Sequence, residues 1–591
     1  MKILSPGSFI ARCMSALILL TVILSCTREQ EKPSIILIVS DDQAWGDTGL
    51  SGNEILETPN LERITAEGAQ LENFFVSPMC APTRASLLTG RYNLRTGTSW
   101  VGRRSEFLGL EETTLADILK EEGYATGIFG KWHLGEYGPY HPNERGFDEF
   151  TGFSPGAANN YFRTRLEHNG KRFTSDNYIT DVLTDSAMRF IAEHRDEPFF
   201  CYIPYNVPHH PFQVPDRYFD KYKKRGIEDN RTASVYGMVE NMDENIGRIL
   251  DQLQDLELEE NTIVIFLSDN GPAFKRFNAG LAGLKAQVGE GSVKVPFYIM
   301  WENRIPEGTK FTELAAHIDL LPTLLDAAGI DVPDSLDIDG ISLMPLLSGS
   351  GDAYPGRTIY THQTRFGECL VTPGGLRTGH YRLQNWKKGY ELYDMLKDPS
   401  QKLDIAFEKP ELTQRLISDY EAWYEDVTAG GTNWPPVPVG YKTFDTIKIV
   451  APDALKSAGI NYSGKRGWAT DWFCDWQNTS DSLTWQIDVW EAGRYEFILN
   501  YWCKKENTGS VFILDNGQTS TSNTLTIPNE SPFHELPNKS PEGAPRERDW
   551  AQLSLGEMEL ATGEQELVLK ALIIPGENAG EFRSLKIIRK Y

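Results

Sequence analysis

The chain has 591 residues, enough for roughly two to four domains and a sizeable core, which excludes a peptide-like or disulfide-stapled miniprotein. Hydrophobic residues make up 40% and charged residues 24%, a balance that excludes a disordered chain and a membrane protein with many spans. Fifty-eight Lys and Arg against 83 Asp and Glu leave a net charge of -25, which argues against broad binding to nucleic acid or anionic lipid and requires a local positive site for any anionic ligand.

Residues 1–26 differ in composition from the rest: Lys2 and Arg12 precede an apolar run over 14–24, then Ser25 and Cys26. This pattern predicts an export signal whose apolar run, about 12 residues, is too short for a bilayer core of about 30 Å. Ile23-Leu24-Ser25-Cys26 resembles a bacterial lipobox, so the expected product is exported to the periplasm or cell surface, with its only membrane attachment a lipid on Cys26. A plain secretory signal is the alternative. Without Cys13 and Cys26, the remaining Cys80, Cys201, Cys369, Cys474 and Cys503 make no disulfide framework; Cys474 and Cys503 either pair or stay as buried thiols.

From residue 33 to about 350, apolar strand-like runs alternate with amphipathic segments such as 114–124 and 234–250, which predicts a mainly parallel α/β sheet sandwiched by helices. Runs 35–39 and 263–267 lack a polar alternate, as expected of central strands covered on both faces. Short segments at 358–361, 375–384 and 391–394, then a helix over 410–426, predict a small antiparallel subdomain at 351–430. The Gly- and Pro-rich stretch 431–444 reads as a linker. Beyond it, 445–591 reads as an appended β-sandwich, with a hairpin formed by Trp485–Val489 and Tyr495–Tyr501 about a turn at Glu491-Ala492-Gly493, and further strands at 510–514, 566–574 and 584–588. This module carries half of the chain's 14 Trp, which suit either core packing or sugar stacking.

Two strand-like runs end alike: 35–40 leads into Asp41-Asp42, and 262–268 leads into Asp269-Asn270-Gly271. In an open α/β sheet the ligand crevice lies beyond the carboxyl ends of the strands, so these ends bring oxygen donors together; oxygen-only ligands favour Ca²⁺ or Mg²⁺ over Zn²⁺. Other apolar runs stop at Lys131 and His133, at His209 and His210, and near Lys285. Converging on one crevice, they make a cationic pocket suited to a tetrahedral anion, with Lys131 and Lys285 as point charges and His133 and His209 as donors or proton shuttles.

The segment Ser77-Pro78-Met79-Cys80-Ala81-Pro82-Thr83-Arg84, followed by Leu88-Thr89-Gly90, carries the C-x-P-x-R signature, and the chain here resembles the type I, formylglycine-dependent sulfatases of the alkaline phosphatase-like superfamily. The resemblance runs in order through DDQAWGD at 41–47, GKWHLG at 130–135, RGFDEFTGF at 145–153, SDNG at 268–271 and ELYDMLKDP at 391–399. It implies that a maturase oxidises Cys80 to formylglycine, whose hydrate is the nucleophile, and that Asp41, Asp42, Asp269 and Asn270 hold Ca²⁺ together with the residue-80 side chain. It further implies that Arg84 orients residue 80, Lys131 and Lys285 grip sulfate, His133 assists sulfate release and His209 protonates the leaving alcohol, with His210 a second candidate beside it. The family's E-G-G-x-R-V-P stretch reads here Glu290-Gly291-Ser292-Val293-Lys294-Val295-Pro296, which puts the geometry of the loop after Lys285 in question.

Export, the lipobox and the appended sandwich point by analogy to a sulfated polysaccharide or oligosaccharide as substrate, with Arg103, Arg104 and Asn160, together with its neighbours Asn159 and Tyr161, in loops placed to touch flanking sugars. Two alternatives stay open: a phosphonate monoester or phosphodiester hydrolase using the same motif, and an inactive glycan-binding lipoprotein. The sugar, the sulfated position and the oligomeric state are not legible.

Overall fold

The computed structural model describes residues 32–591 apart from 350–353, 366–367, 433, 443, 465, 469 and 542–545; the expected signal segment, with Cys13 and Cys26, lies outside them. Ten strands form the main sheet: β1 Ser34–Ser40, β2 Ala69–Phe75, β3 Ala125–Lys131, β4 Glu149–Phe153, β5 Arg165–His168, β6 Lys171–Thr174, β7 Phe199–Pro204, β8 Thr262–Ser268, β9 Phe297–Met300 and β10 Thr309–Ala316. Their order is β10-β2-β9-β8-β1-β7-β3-β4-β5-β6.

β1 is buried along its whole length because it feeds two cores. Ile35, Leu37 and Val39 join one apolar cluster with Leu87 and Leu88 of helix Cys80–Thr89, and Ile36 and Ile38 join another with Met242 and Ile246 of helix Asn230–Asp255. β8 divides its side chains the same way. Period two thus puts alternate residues on opposite faces, and each fully buried Ile or Leu is worth about 1.5–3 kcal/mol. Helices Leu115–Glu121 and Pro410–Val427 also form where the pattern places them.

The sheet is mixed. β8, β1, β7, β3 and β4 are parallel neighbours, whereas β9 runs antiparallel to both β2 and β8, and β5 and β6 extend the edge as an antiparallel hairpin. The chain between β8 and β9 contains only the short helix Glu290–Val293 and stays at the carboxyl edge, so it returns antiparallel instead of crossing over. The small antiparallel sheet, Ile359–His362, Gly374–Arg377, Tyr381–Asn385 and Tyr390–Asp394, packs Leu376, Leu383 and Leu392 on Leu416 and Tyr420 of helix Pro410–Val427.

The C-terminal region is a two-sheet sandwich, with two corrections. Strand Ser482–Val489 pairs with Gly563–Ile573 and strand Gly493–Trp502 with Ala551–Leu560 and Glu581–Lys590, so the expected hairpin is instead a crossing between sheets. Both strands do bury alternate residues in one core; alternation fixes the inward face but not the partner. The expected linker also contains strand Val437–Val439, which pairs parallel with Ser482–Val489; Pro438 is tolerated because this strand lies at the sheet edge.

Phe107, Tyr137 and Tyr140 of the α/β region belong to the sandwich's apolar cluster, so the two are joined through a shared core. Trp476 and Trp485 are core residues, while Trp468 and Trp490 are exposed. Cys474 and Cys503 are free thiols. Among the described residues no helix is long and apolar enough to cross a membrane.

Candidate active site

The parallel register of β1 and β8 pairs Ser40 with Ser268, and Asp269 N–H donates to Ser40 O (3.0 Å), so Asp41-Asp42 and Asp269-Asn270 emerge side by side. On the other flank Asp41 N–H donates to Val207 O (3.0 Å) in the loop after β7, which carries His209. β3 ends at Lys131, and its Nζ is 2.7 Å from Asp41 Oδ2. Cys80 begins helix Cys80–Thr89, whose positive end faces the same crevice. Lys285 N–H donates to Pro272 O (2.9 Å) and Ala286 N–H to Pro78 O (2.9 Å), which pins the Lys285 loop to the residues before Cys80.

Arg84 is fully buried and organises the centre. Its Nη2 and Nε donate to Asp269 Oδ2 (2.7 and 3.1 Å), and Nη1 donates to Lys131 O (2.9 Å). Lys285 Nζ lies 2.5 Å from Asp42 Oδ1, to which Asn270 Nδ2 also donates (2.7 Å). His133 and Asp42 adopt the left-handed backbone region at φ 62° and 66°, conformations that non-glycine residues rarely hold outside constrained sites. A Cβ at Gly156 would sit 2.2 Å from His133 Nε2, so the absence of a side chain there makes room for the imidazole.

Asp41 Oδ1, Asp42 Oδ2 and Asn270 Oδ1 are buried with no hydrogen-bond partner, a costly state for polar atoms unless another group is bound. Ligand atoms of Asp41, Cys80 and Asp269 lie within 4.8 Å of one another, as do those of Asp41, Asp42 and His209. Burial and the neighbouring Asp41 raise Asp269, a repulsion that a divalent cation would relieve. Burial also acts on Asp41 and Asp42, but Lys131 foremost for the first and Lys285 for the second hold both below the usual carboxylate range. A hard cation fits this donor set: acidic and amide oxygens with unsatisfied lone pairs.

Around these acids, burial followed by Lys131 and Arg84 pushes His133 well below its ordinary value, and burial lowers His209 against the pull of Asp41. Both are therefore poised as neutral imidazoles at neutral pH. Burial raises the Cys80 thiol, so unmodified Cys80 is a poor thiolate nucleophile despite Lys131 and Lys285. His210 stacks on His209 at 4.1 Å and is exposed.

All the central residues expected from the sequence come together: Asp41, Asp42, Cys80, Arg84, Lys131, His133, His209, Asp269, Asn270 and Lys285. The departures after Lys285 are absorbed locally, with Ser292 O accepting from Gly271 N–H (2.9 Å) and Lys294 Nζ donating to Asn73 Oδ1 (3.1 Å). The outer candidates fare differently. Arg103 donates to Arg466 O (2.9 Å) and lies over Tyr462, and Arg104 donates to Pro435 O (2.8 Å), so both serve the joint with the sandwich. Asn160 folds back on its own loop, accepting from Phe162 N–H (3.2 Å).

Tyr161, expected as a sugar contact, instead buries its hydroxyl and donates to His209 O (2.9 Å), and sequence reading missed Ser77, whose hydroxyl meets His317 Nε2 (3.0 Å) just before the Cys80 segment. Neither contact has a local sequence signal, because each joins distant segments.

A family model described as "Sulfatase" matches residues 33–330, just over half of the chain, and a second, described as "N-sulphoglucosamine sulphohydrolase, C-terminal", matches residues 285–421. The chain is similar to N-acetylgalactosamine-6-sulfatase of Canis lupus familiaris, 34% identical over 395 residues that cover 60% of this chain and 72% of that protein. It is also similar to N-acetylgalactosamine-6-sulfatase of Homo sapiens, 30% identical over 447 residues covering 65% and 84%. Among solved structures, Ps i-CgsB in complex with k-i-k-neocarrahexaose superposes with a TM-score of 0.64 at 29% identity, covering 68% of this chain and 95% of that one.

Proposed function

The chain belongs to the sulfatase family of the alkaline phosphatase-like superfamily and is a sulfuric ester hydrolase, and from that premise we propose that it removes sulfate from a sulfated carbohydrate, using Cys80 converted to formylglycine and a bound Ca²⁺. The observation that carries this reading is the convergence of Cys80, three unpartnered acceptor oxygens and two lysines at one sheet edge. The carbohydrate class is supported by the relatives' names, an N-acetylgalactosamine sulfatase and a protein solved with a neocarrahexaose.

Asp41, Asp42, Asp269 and Asn270 would hold the cation, which when bound supplies Lewis-acid polarisation to oxygens at position 80 and on sulfate. As a hydrated aldehyde, position 80 would supply one oxygen to attack sulfur and a second hydroxyl whose collapse expels sulfate, a release route that serine or cysteine lacks. Lys131 and Lys285 place positive charge where the sulfuryl oxygens gain negative charge. His209 Nδ1 donates to His210 O (2.6 Å), which fixes the ring and directs Nε2 toward the crevice, 3.9 Å from Asp42 Oδ2, where the protonated form of the ring can give its Nε2 proton to the leaving alkoxide. His133, neutral and seated over Gly156, can take the proton released when the hydroxyl of residue 80 collapses.

Export to the periplasm or cell surface and lipid attachment at Cys26 belong to the same proposal and rest on residues 1–26. A screen for sulfate release from defined sulfated mono- and oligosaccharides tests the substrate class: turnover of at least one sugar sulfate is expected, and turnover confined to aryl sulfates would overturn it.

A further inference from the structure

The sandwich reaches over the catalytic domain at two points beside the catalytic histidines. Asn538 Oδ1 accepts from Gln213 Nε2 (2.8 Å) and Lys539 N–H donates to Phe212 O (3.1 Å), while Glu547 Oε1 accepts from Asn159 Nδ2. Gln213 Oε1 holds Tyr161 N–H (2.7 Å), and Tyr161 in turn holds the His209 carbonyl (2.9 Å). Asn159 is in the same short loop as Gly156, against which His133 rests. The wall of the crevice therefore continues into the sandwich.

Where it continues, positive side chains outnumber the acids left to pair with them. In the β5–β6 register Arg165 faces Thr174 and Glu167 faces Arg172, so Arg165, Glu167 and Arg172 share one face of the hairpin. Lys448 projects from strand Thr446–Val450, whose Ile447 and Ile449 point into the sandwich core, and Arg583 comes from the neighbouring strand Glu581–Lys590. Burial pushes Lys448 down to about 8, and Arg583, Arg172 and Arg165 push the same way against Glu136. Burial lowers Arg583 too, though Nη1 donates to Asp471 O (3.1 Å) and Nη2 is 3.9 Å from Glu547.

The nearby acids are occupied or uncharged. Burial and Asp453 raise Glu136 to about 8, so it is mostly protonated at neutral pH. Glu167 Oε1 is 2.6 Å from His141 Nε2, and Glu547 is engaged by Asn159 and Arg583. Among the described residues Lys448 Nζ and the guanidinium groups of Arg165 and Arg172 have no hydrogen-bond or ion-pair partner. Arg165 and Arg172 are exposed and Lys448 is half-buried, and mutually repelling cations brought this close are stabilised by an anion bound between them.

We propose that Lys448 and Arg583 of the sandwich, with Arg165 and Arg172 of the β5–β6 hairpin, form a subsite for a second sulfate group, carried by a sugar unit flanking the one that is desulfated. The subsite rests on the carbohydrate reading above and makes the sandwich a determinant of chain-length and sulfation-pattern preference.

The test uses the matured full chain and the triple variant Arg165→Gln/Arg172→Gln/Lys448→Gln, which spares Arg583 and its bond to Asp471. Both are assayed on 4-nitrophenyl sulfate, on monosulfated sugars and on carrageenan or chondroitin hexasaccharides with several sulfates. The expected result is a loss of roughly tenfold or more in kcat/KM on the polysulfated hexasaccharide that turns over best, carried by KM and by a weaker salt dependence, with the two small substrates within about twofold. Equal kcat/KM for variant and wild type on every hexasaccharide overturns the subsite alone. Equal losses on all three substrate types overturn it in favour of a structural role. Wild-type turnover of 4-nitrophenyl sulfate with none on any sugar overturns the carbohydrate reading and the subsite with it.

Discussion

Arg84 donates to a single oxygen of Asp269 through both Nε and Nη2, leaving the other oxygen to accept from Asp42 N–H at 3.2 Å. One carboxylate thus ties the helix that begins at Cys80 to both acidic strand ends. Arg84→Ala strands Asp269 in a buried position, and breaking such a pair costs about 3–5 kcal/mol. Thermal denaturation should show a clear drop in midpoint, with activity lost. Arg84→Lys should restore neither, because an ammonium cannot reproduce the fork that reaches Asp269 and Lys131 O together. Wild-type stability in either variant would contradict this arrangement.

If the proposed cation sits against the unpartnered oxygens of Asp41, Asp42 and Asn270, the site's stability depends on it. Added Ca²⁺ should raise the melting temperature of chelator-treated protein, approaching about 2.7 kcal/mol of stabilisation at a hundred times Kd. Asp42→Asn should weaken that response and abolish activity. Calorimetry with Ca²⁺ and Mg²⁺ gives the affinities; no binding of either would remove the metal from the account.

Burial keeps His209 below the ordinary histidine value of 6.5, so its acid form declines as pH rises through the region below that value. Turnover of substrates with poor alkoxide leaving groups should therefore fall with rising pH earlier than turnover of activated phenol sulfates. His209→Ala should cost the former on the order of 10²–10⁴ and the latter much less. Equal losses would remove the acid role.

At the joint with the sandwich, burial and then Asp453 raise Glu136 to about 8 from 4.5. The folded chain keeps a proton that the unfolded chain releases, so this contribution is complete below pH 4.5 and is lost as pH rises through about 8. Burial shifts Glu106 and Asp453 in the same direction. The melting temperature should fall between pH 5 and 9 on the order of degrees, and Glu136→Gln should flatten that slope. An unchanged slope in the variant would place the pH dependence elsewhere.

The acidic strand ends of this site were legible because they follow apolar runs, whereas Cys80 and Arg84 were legible only through the resemblance to the sulfatase signature. Asp41-Asp42 and Asp269-Asn270 follow strands whose uninterrupted burial marks them as central, and the ligand edge of such a sheet is fixed by topology. The rim was not legible. Arg103 and Arg104 looked like sugar contacts because loop arginines beside a crevice can point either way; they turn to Arg466 and Pro435 across a joint that no local pattern encodes. The sandwich strands were found from alternation, yet their pairing was not, since Trp485 and Phe497 face the same core from different sheets.

The central claim is that position 80 acts as a hydrated aldehyde. Peptide mass mapping of residues around Cys80, on protein shown to release sulfate, tests it directly. The account predicts an aldehyde in the fraction that turns over and no turnover by Cys80→Ala. An intact thiol at position 80 in fully active enzyme would contradict it.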